Sequence, residues 1–514
     1  MRIPVIENWR LVEASIYLQA NYNLELSSFG AGRLLGRIGL LPKKTVASPL
    51  FIPKWHKYMC ATRVVPRVHT RPLAYARGVF LFYKYKIGVK AMDILQDLEK
   101  RGLIQQTTDR EGLQKHLNEN QVTLYCGFDP TADSLHIGHL LPIIMLKRFQ
   151  RAGHKPIALI GGGTGMIGDP SGRSAERSLN EAKVVHGYSE KIRQQLAKLL
   201  NFDNGSNAAR ARNNHDWLGN MTIIDFLRDA GKHFGINYML GKESVSARIE
   251  QGISYTEFSY MILQSLDFMK LYEQENCTLQ IGGSDQWGNI TAGMELIRRS
   301  RENEEEEINV FGLTVPLITK ADGSKFGKTA GGAIWLDPEK TTPYEFYQFW
   351  INTDDRDVMK FLQYFTFLEQ DELDELQKEL ENHPEKRQAQ RRLAEEMTMM
   401  VHSKEDLQQA QKITNALFSG NLQDLSVSDI EQGFKDVPTY ETAKADIGLI
   451  DLLVSASISS SKRQAREDIK NGAIYINGER QQDLQCVVDA SARIGDKFTI
   501  IRRGKKKYFL ISYK

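Results

Sequence analysis

Three short apolar runs, two of them leading into glycine-rich turns, restrict this chain more than any other feature. Val122-Thr123-Leu124-Tyr125-Cys126-Gly127-Phe128 reads as a buried strand. Pro156-Ile157-Ala158-Leu159-Ile160 runs into Gly161-Gly162-Gly163-Thr164-Gly165, and Leu279-Gln280-Ile281-Gly282-Gly283 repeats the strand-to-glycine pattern. Helical patterns alternate with the strands from about 120 to 180. The fold class this implies is α/β, a Rossmann-type parallel sheet whose ligands sit at the strand carboxyl ends.

Around that core the 514 residues leave room for two to four domains of roughly 100–200 residues each. The catalytic domain is expected over 92–340, with 181–275 mostly helical and 301–307 a solvated acidic loop. Strand signal disappears over 341–420, which reads as charged and helical. Residues 421–446 are polar and turn-rich and read as a linker, and a compact α+β module is expected over 447–514. In it, Ser459 to Lys470 looks like a capped helix closed by Gly472, and Ile474-Tyr475-Ile476 leads into the hairpin turn Asn477-Gly478.

Residues 1–91 have a different character. Residues 1–90 carry 15 Lys/Arg against 3 Asp/Glu, whereas the remainder carries 52 basic and 61 acidic residues. Three readings stand open for this basic extension: a translated segment upstream of a start near Met92, an organellar transit peptide, or a nucleic-acid-binding arm. No catalytic role is expected of it. Nowhere do about 18 apolar residues follow one another, so no membrane span is expected. The scattered cysteines Cys60, Cys126, Cys277 and Cys486 lack C-x-x-C spacing, which fits a reducing compartment and argues against a zinc site.

Chemistry concentrates in two motifs. His136-Ile137-Gly138-His139 follows the first strand at a helix start, where unpaired N–H groups and partial positive charge favour phosphate. Gly138 between the two imidazoles leaves the backbone open to an adenine ring. Lys325-Phe326-Gly327-Lys328-Thr329 lies in a glycine-rich loop whose lysines can stabilise charge developing on a pyrophosphate leaving group. Arg173 and Arg177, after Gly168-Asp169-Pro170-Ser171-Gly172, form a second basic pair that could face phosphate. Each motif alone also fits a solvated surface.

Together with Phe258-Ser259-Tyr260-Met261-Ile262-Leu263-Gln264 and Gly282-Gly283-Ser284-Asp285-Gln286-Trp287-Gly288-Asn289, these segments resemble bacterial tyrosyl-tRNA synthetases of class I. The resemblance runs from about Met92 to the C-terminus, and residues 1–91 stand outside it. It implies that Tyr125 and Asp267 meet the substrate phenol, that Asp169, Tyr260 and Gln264 hold the α-ammonium, and that Gln286 orients the carboxylate. It assigns Cys126, Gly127, Asp129, Gly138, Gly283, Asp285, Arg173 and Arg177 to ATP. Thr131, His136, His139, Lys325, Lys328 and Thr329 form the catalytic set.

The helical region becomes an anticodon-side domain and the last module an S4-like RNA-binding domain. In that module Lys462, Arg463, Arg466 and Lys470 make a basic helical stripe, and Tyr508 and Phe509 accompany a second basic cluster at Arg502, Arg503 and Lys505 to Lys507. Lys386, Arg387, Arg391 and Arg392 read as a solvated group. The partners implied are L-tyrosine, ATP with Mg²⁺, tRNA(Tyr) and a second copy of the chain, with no protein-bound metal or prosthetic group. The compartment implied is the cytoplasm, or an organelle if the first residues are a transit peptide. Two alternatives remain: another class I H-x-G-H adenylyl-transferring enzyme, or an RNA-binding protein with an inactive synthetase fold.

Overall fold

The structure, a computed structural model, describes residues 93–514 apart from 172–178, 204, 250–251, 303–307, 324–325, 330–331, 436 and 505–506. The basic extension 1–91, and with it Cys60, lies outside the described residues, as do Arg173, Arg177, Lys325, Lys505 and Lys506. Residues Ile94–Lys514 form one compact unit.

A six-stranded sheet is its centre. The strands are β1 (Gln106–Thr107), β2 (Thr123–Phe128), β3 (Lys155–Ile160), β4 (Arg210–Asn213), β5 (Cys277–Gly283) and β6 (Phe311–Val315), in the order β1-β6-β5-β2-β3-β4. All pairings are parallel except β1 with β6. The chain leaves β2 towards β3 on one side and returns as β5 on the other, so the order reverses between β2 and β5. In an open α/β sheet a crevice forms at that point, beyond the strand carboxyl ends. The turns after β2, β3, β4 and β5 all converge there.

The stretch 181–275 is mostly helical, as expected, with the short strand β4 inside it. Its sequence Arg-Ala-Arg-Asn has no apolar alternation, since β4 is an edge strand with no residue fully buried. An edge strand of this kind gives no hydrophobic signal to read.

Three helices position the site. α1 (Leu140–Arg151) starts at His139, α2 (Tyr255–Glu275) is capped by Ser254 and closed by Asn276 in the left-handed region, and α3 (Trp287–Ser300) starts just beyond β5. α2 and α3 pack face to face, with Gly293 letting the backbone of α3 approach Phe268. Beyond the sheet, helices at Pro343–Ile351, Asp355–Phe365, Gln370–Asn382, Gln388–Val401 and Lys404–Ser419 build the helical region. Two nearly buried arginines tie it to the core. Arg148 at the end of α1 donates to Gln363 O (3.2 Å) and Thr366 O (2.5 Å), and Arg101 donates to Leu368 O (2.7 Å). These carbonyls lie at the C-terminal end of Asp355–Phe365, where cations are favoured. Asp97 pairs with both guanidinium groups.

Residues 421–446 are not a linker. They contain a helix, Val427–Gly433, and a strand, Thr439–Thr442, that joins the C-terminal sheet in parallel with Lys507–Tyr513. Few apolar residues occur there, but Leu422, Leu425, Ile430 and Phe434 are all buried, in a core shared with Ile413 of the preceding helix and Phe498, Ile500 and Leu510 of the last module. The helix expected from Ser459 begins at Lys462, capped by Ser461, and ends at Lys470. Asn477 and Gly478 both take positive φ in the hairpin that follows.

Candidate active site

The amino-acid half of the crevice is a pair of hydrogen-bond networks. β2 points Tyr125 away from the solvent side, leaving it 1% exposed against Phe268. Its hydroxyl is buried and has no hydrogen-bond partner among the described residues. Asp267, from the middle of α2, is equally buried. One of its carboxyl oxygens accepts from Asn214 Nδ2 (2.9 Å) and the other from Trp217 Nε1 (2.8 Å). Burial drives the Asp267 carboxyl up to about 8, opposed by these two donors. Burial, and then the charge of Asp267, push the Tyr125 phenol well above its ordinary range.

Asn214 also donates to Thr164 Oγ1 (2.8 Å), Thr164 donates to Asp129 (2.7 Å), and Tyr260 Oη donates to the other oxygen of Asp129 (2.8 Å). One chain of hydrogen bonds thus runs from Trp217 to Tyr260 across the ends of three strands. Asp129, expected beside the nucleotide, has its carboxylate engaged in this amino-acid half.

A second network faces the first. Gln286 Nε2 donates to Asp169 (2.7 Å), and Asn289 Nδ2 donates to Gln264 Oε1 (3.0 Å) and Gln286 Oε1 (3.2 Å). Tyr260, Gln264 and Asp267 share one face of α2 because they are spaced i, i+4 and i+7. Asp169 is close enough to Tyr260 for its charge to raise that phenol.

The phosphate half is built differently, mainly from backbone. His136 Nδ1 accepts from Gly138 N (3.1 Å), and His139 Nδ1 accepts from His136 N (3.1 Å), a reciprocal cap with ring centroids 4.0 Å apart. Each Nδ1 is therefore unprotonated, and each neutral ring carries its proton on Nε2. Gly138 is required by the same geometry, since a Cβ there would lie 2.7 Å from His136 Cε1. Thr131, on the turn after β2, is exposed, with its N–H bonded to Asp129 O (2.9 Å).

The segment after the lysine motif runs antiparallel to the histidine motif. Ile137 N donates to Ile334 O (3.0 Å), Leu336 N to Leu135 O (2.8 Å), and Ile334 N to Gly327 O (3.3 Å). The backbone of Lys328–Thr329 pairs with Gly332–Ala333. The two motifs, almost two hundred residues apart in sequence, are therefore neighbours.

Of the remaining nucleotide candidates, Gly127, Gly283 and Asp285 lie at the ends of β2 and β5, and burial raises the Asp285 carboxyl. Cys126 turns its side chain into the core, where burial pushes the thiol up to about 12. Sequence reasoning missed Thr164, Asn214, Trp217 and Asn289. Thr164 lay in the glycine-rich turn already singled out, and Asn214 directly follows the unread strand β4.

In the C-terminal module Lys462, Arg463, Arg466 and Lys470 are all exposed on one helix, with Lys462 paired to Asp451 at 2.6 Å. The second cluster is more structural than the sequence implied. Arg503 is held by Asp468 and Ile458 O, Arg502 lies over the Tyr475 ring, and Tyr508 packs edge-on against Phe434 with its hydroxyl donating to Leu417 O. Arg387 donates to Ile351 O and Thr353 O while its side chain stays partly exposed.

The family model of class I tRNA synthetases (W and Y) matches residues 117–419, and that of the tyrosine–tRNA ligase SYY-like C-terminal domain matches 429–511. A tyrosine–tRNA ligase of Oceanobacillus iheyensis is 74% identical over 422 residues, 82% of this chain and 99% of that protein. The chain belongs to the class I tyrosyl-tRNA synthetase family. The Bacillus subtilis tyrosine–tRNA ligase 1 is 64% identical over 423 residues, again 82% of this chain and 100% of that one. Among solved structures, a C-terminally truncated mitochondrial tyrosyl-tRNA synthetase of Aspergillus nidulans superposes with a TM-score of 0.58 at 31% identity, covering 65% of this chain and 97% of that one. The second matched domain begins at 429, within the stretch expected as a linker and consistent with its packed helix and strand.

Proposed function

We propose that this enzyme activates L-tyrosine with ATP, releasing pyrophosphate, and then transfers the tyrosyl group to the 3′ end of tRNA(Tyr). The observation that carries the choice of amino acid is the unpartnered, buried Tyr125 hydroxyl beside the Asp267 carboxyl. A buried polar group without a partner costs about 1–3 kcal/mol. A substrate phenol supplies what is missing: it accepts from Tyr125 Oη and donates to Asp267. Phenylalanine leaves the Tyr125 hydroxyl without a partner, and the tryptophan indole N–H offers no acceptor.

In this reading Asp169, Tyr260 and Gln264 receive the α-ammonium, with Asp129 behind Tyr260, while Gln286 orients the carboxylate. That carboxylate is already ionised, so its oxygen attacks the α-phosphorus without a general base. The bond to pyrophosphate breaks, and tyrosyl-adenylate forms. The rate comes from positioning and from charge stabilisation at the leaving group. The Nε2–H groups of His136 and His139, with Thr131, serve the triphosphate and nucleotide, and Lys325, Lys328 and Thr329 serve the departing pyrophosphate. Cys126, Gly127, Gly138, Gly283 and Asp285 flank the nucleoside, Arg173 and Arg177 act on phosphate, and Mg²⁺ arrives with ATP as part of the substrate. In the second step a terminal ribose hydroxyl of tRNA attacks the activated carbonyl and AMP leaves. Lys462, Arg463, Arg466 and Lys470 contact the tRNA backbone.

The enzyme works as a homodimer. Support comes from Ile223, Ile224, Leu227, Ile236, Leu240, Ile249 and Tyr255, each between 39% and 77% exposed in the stretch that leads into the first residue of α2. Such a concentration of exposed apolar side chains marks an interface. The cytoplasm suits tRNA charging and the free thiols of Cys126, Cys277 and Cys486. No helix among the described residues is long and apolar enough to cross a membrane.

Amino-acid-dependent exchange of labelled pyrophosphate into ATP tests the reading. Tyrosine should stimulate exchange, while phenylalanine and tryptophan should not. Exchange that is indifferent to tyrosine, or equal with phenylalanine, contradicts it.

A further inference from the structure

Phe326, the second residue of the lysine motif, is placed where none of the proposed chemistry needs it. Its ring sits among four aromatic rings of the helical region: Phe361 at 5.1 Å, Phe365 at 5.4 Å and stacked within 19°, and Phe349 and Trp350 both at 5.8 Å. Trp350, Phe361 and Phe365 are themselves at most 2% exposed. Aromatic pairs in stacked or edge-on geometry attract one another beyond the area they bury, so four of them make a strong attachment for a residue in a loop.

The next residue meets the other wall. Gly327 is buried at φ +82°, and a Cβ on it would lie 3.0 Å from Ile137 Cγ1, inside the histidine motif. Its carbonyl accepts from Ile334, whose own carbonyl accepts from Ile137. Two consecutive residues thus clamp the loop between the helical region and the histidine motif, immediately before Lys328. The socket is fixed to the same motif by a separate route. His139 is the N-cap of α1, and Arg148 in its last turn grips the C-terminal carbonyls of the helix that carries Phe361 and Phe365.

We infer that Phe326 is a positioning residue, a plug whose seat in the Phe349/Trp350/Phe361/Phe365 socket sets where the backbone of Lys328 stands relative to the histidine pair. The inference rests on the proposed role of Lys328 at the pyrophosphate. It makes the helical region a part of the activation site, with no contact to any substrate.

The test compares full-length wild type with Phe326→Ala, Phe326→Leu and Lys328→Ala. Rates of tyrosyl-adenylate formation, tyrosine dissociation constants and melting temperatures are measured for each. Phe326→Ala should slow adenylate formation at least tenfold and raise the ATP requirement, while tyrosine affinity stays within about twofold. Phe326→Leu refills the socket and should recover most of the rate. Trypsin cleavage after Lys328 should accelerate in Phe326→Ala and return towards wild type in Phe326→Leu.

A slow Lys328→Ala with a wild-type Phe326→Ala overturns the plug and leaves the lysine role standing. A wild-type rate in Lys328→Ala overturns the lysine role itself. If Phe326→Ala loses tyrosine affinity and melting temperature together with rate, and Phe326→Leu does not restore the rate, the residue is packing alone and the inference fails.

Discussion

The two halves of the crevice are made by opposite means. At the tyrosine end side chains do the work: six residues from α2 and the segments after β2, β3 and β4 are linked through hydrogen bonds of 2.7–2.9 Å, and Tyr125 of β2 stands beside that chain with its hydroxyl unpartnered among the described residues. At the phosphate end the histidine motif is held by its own backbone, and the lysine motif is held by a close glycine approach and an aromatic plug. The first arrangement suits recognition, which gains from groups fixed before the ligand arrives. The second suits a step in which charge appears only in the transition state and is met by groups whose backbone is already held in place.

The largest break in this comparison comes from the phosphate end. Lys328→Ala should lower the rate of adenylate formation by about 10²–10³, with tyrosine binding almost unchanged, as read by single-turnover kinetics and equilibrium dialysis.

Next comes the tyrosine end. Tyr125→Phe removes one partner of the phenol, so tyrosine should bind about 5- to 100-fold more weakly, corresponding to roughly 1–3 kcal/mol. Selectivity over phenylalanine falls with it, measured by exchange with each amino acid.

Away from both, Arg463→Glu combined with Arg466→Glu should leave exchange intact and weaken tRNA charging. The dependence of tRNA affinity on salt should flatten by about one unit for each phosphate that the enzyme no longer neutralises.

The smallest effect is one of pH. Asp267 is buried with its carboxyl near 8, whereas an unfolded chain releases that proton near 4. Between those values the folded state holds the extra proton, so the unfolding free energy of the ligand-free enzyme falls as pH rises through this window. Asp267→Asn should flatten that slope in urea titrations from pH 5 to 8; an unchanged slope contradicts the buried carboxyl as its source.

Much of this frame was legible in the chain. The apolar runs of β2, β3 and β5 announced the parallel sheet, and helical spacing alone put Tyr260 and Gln264 on one face. What could not be read was whatever depends on meetings across the fold. Arg210–Asn213 carries no strand pattern because an edge strand needs none, and with it went Asn214 and Trp217, the two donors to Asp267. The hydrogen bond of Tyr260 to Asp129 joins residues 131 apart in sequence. Residues 421–446 looked like a linker because four buried side chains are too few to register as periodicity, although they close a core between two modules. Tyr508 had the composition of a stacking platform, yet its ring is used against Phe434.

The division of labour itself is tested most directly by measuring, in one pre-steady-state experiment, the tyrosine dissociation constant and the rate constant for adenylate formation in Lys328→Ala and in Tyr125→Phe. The account predicts a crossed result: Lys328→Ala changes the rate and leaves the dissociation constant, and Tyr125→Phe weakens binding and leaves the rate within a few-fold. Parallel losses of both quantities in both variants would contradict it.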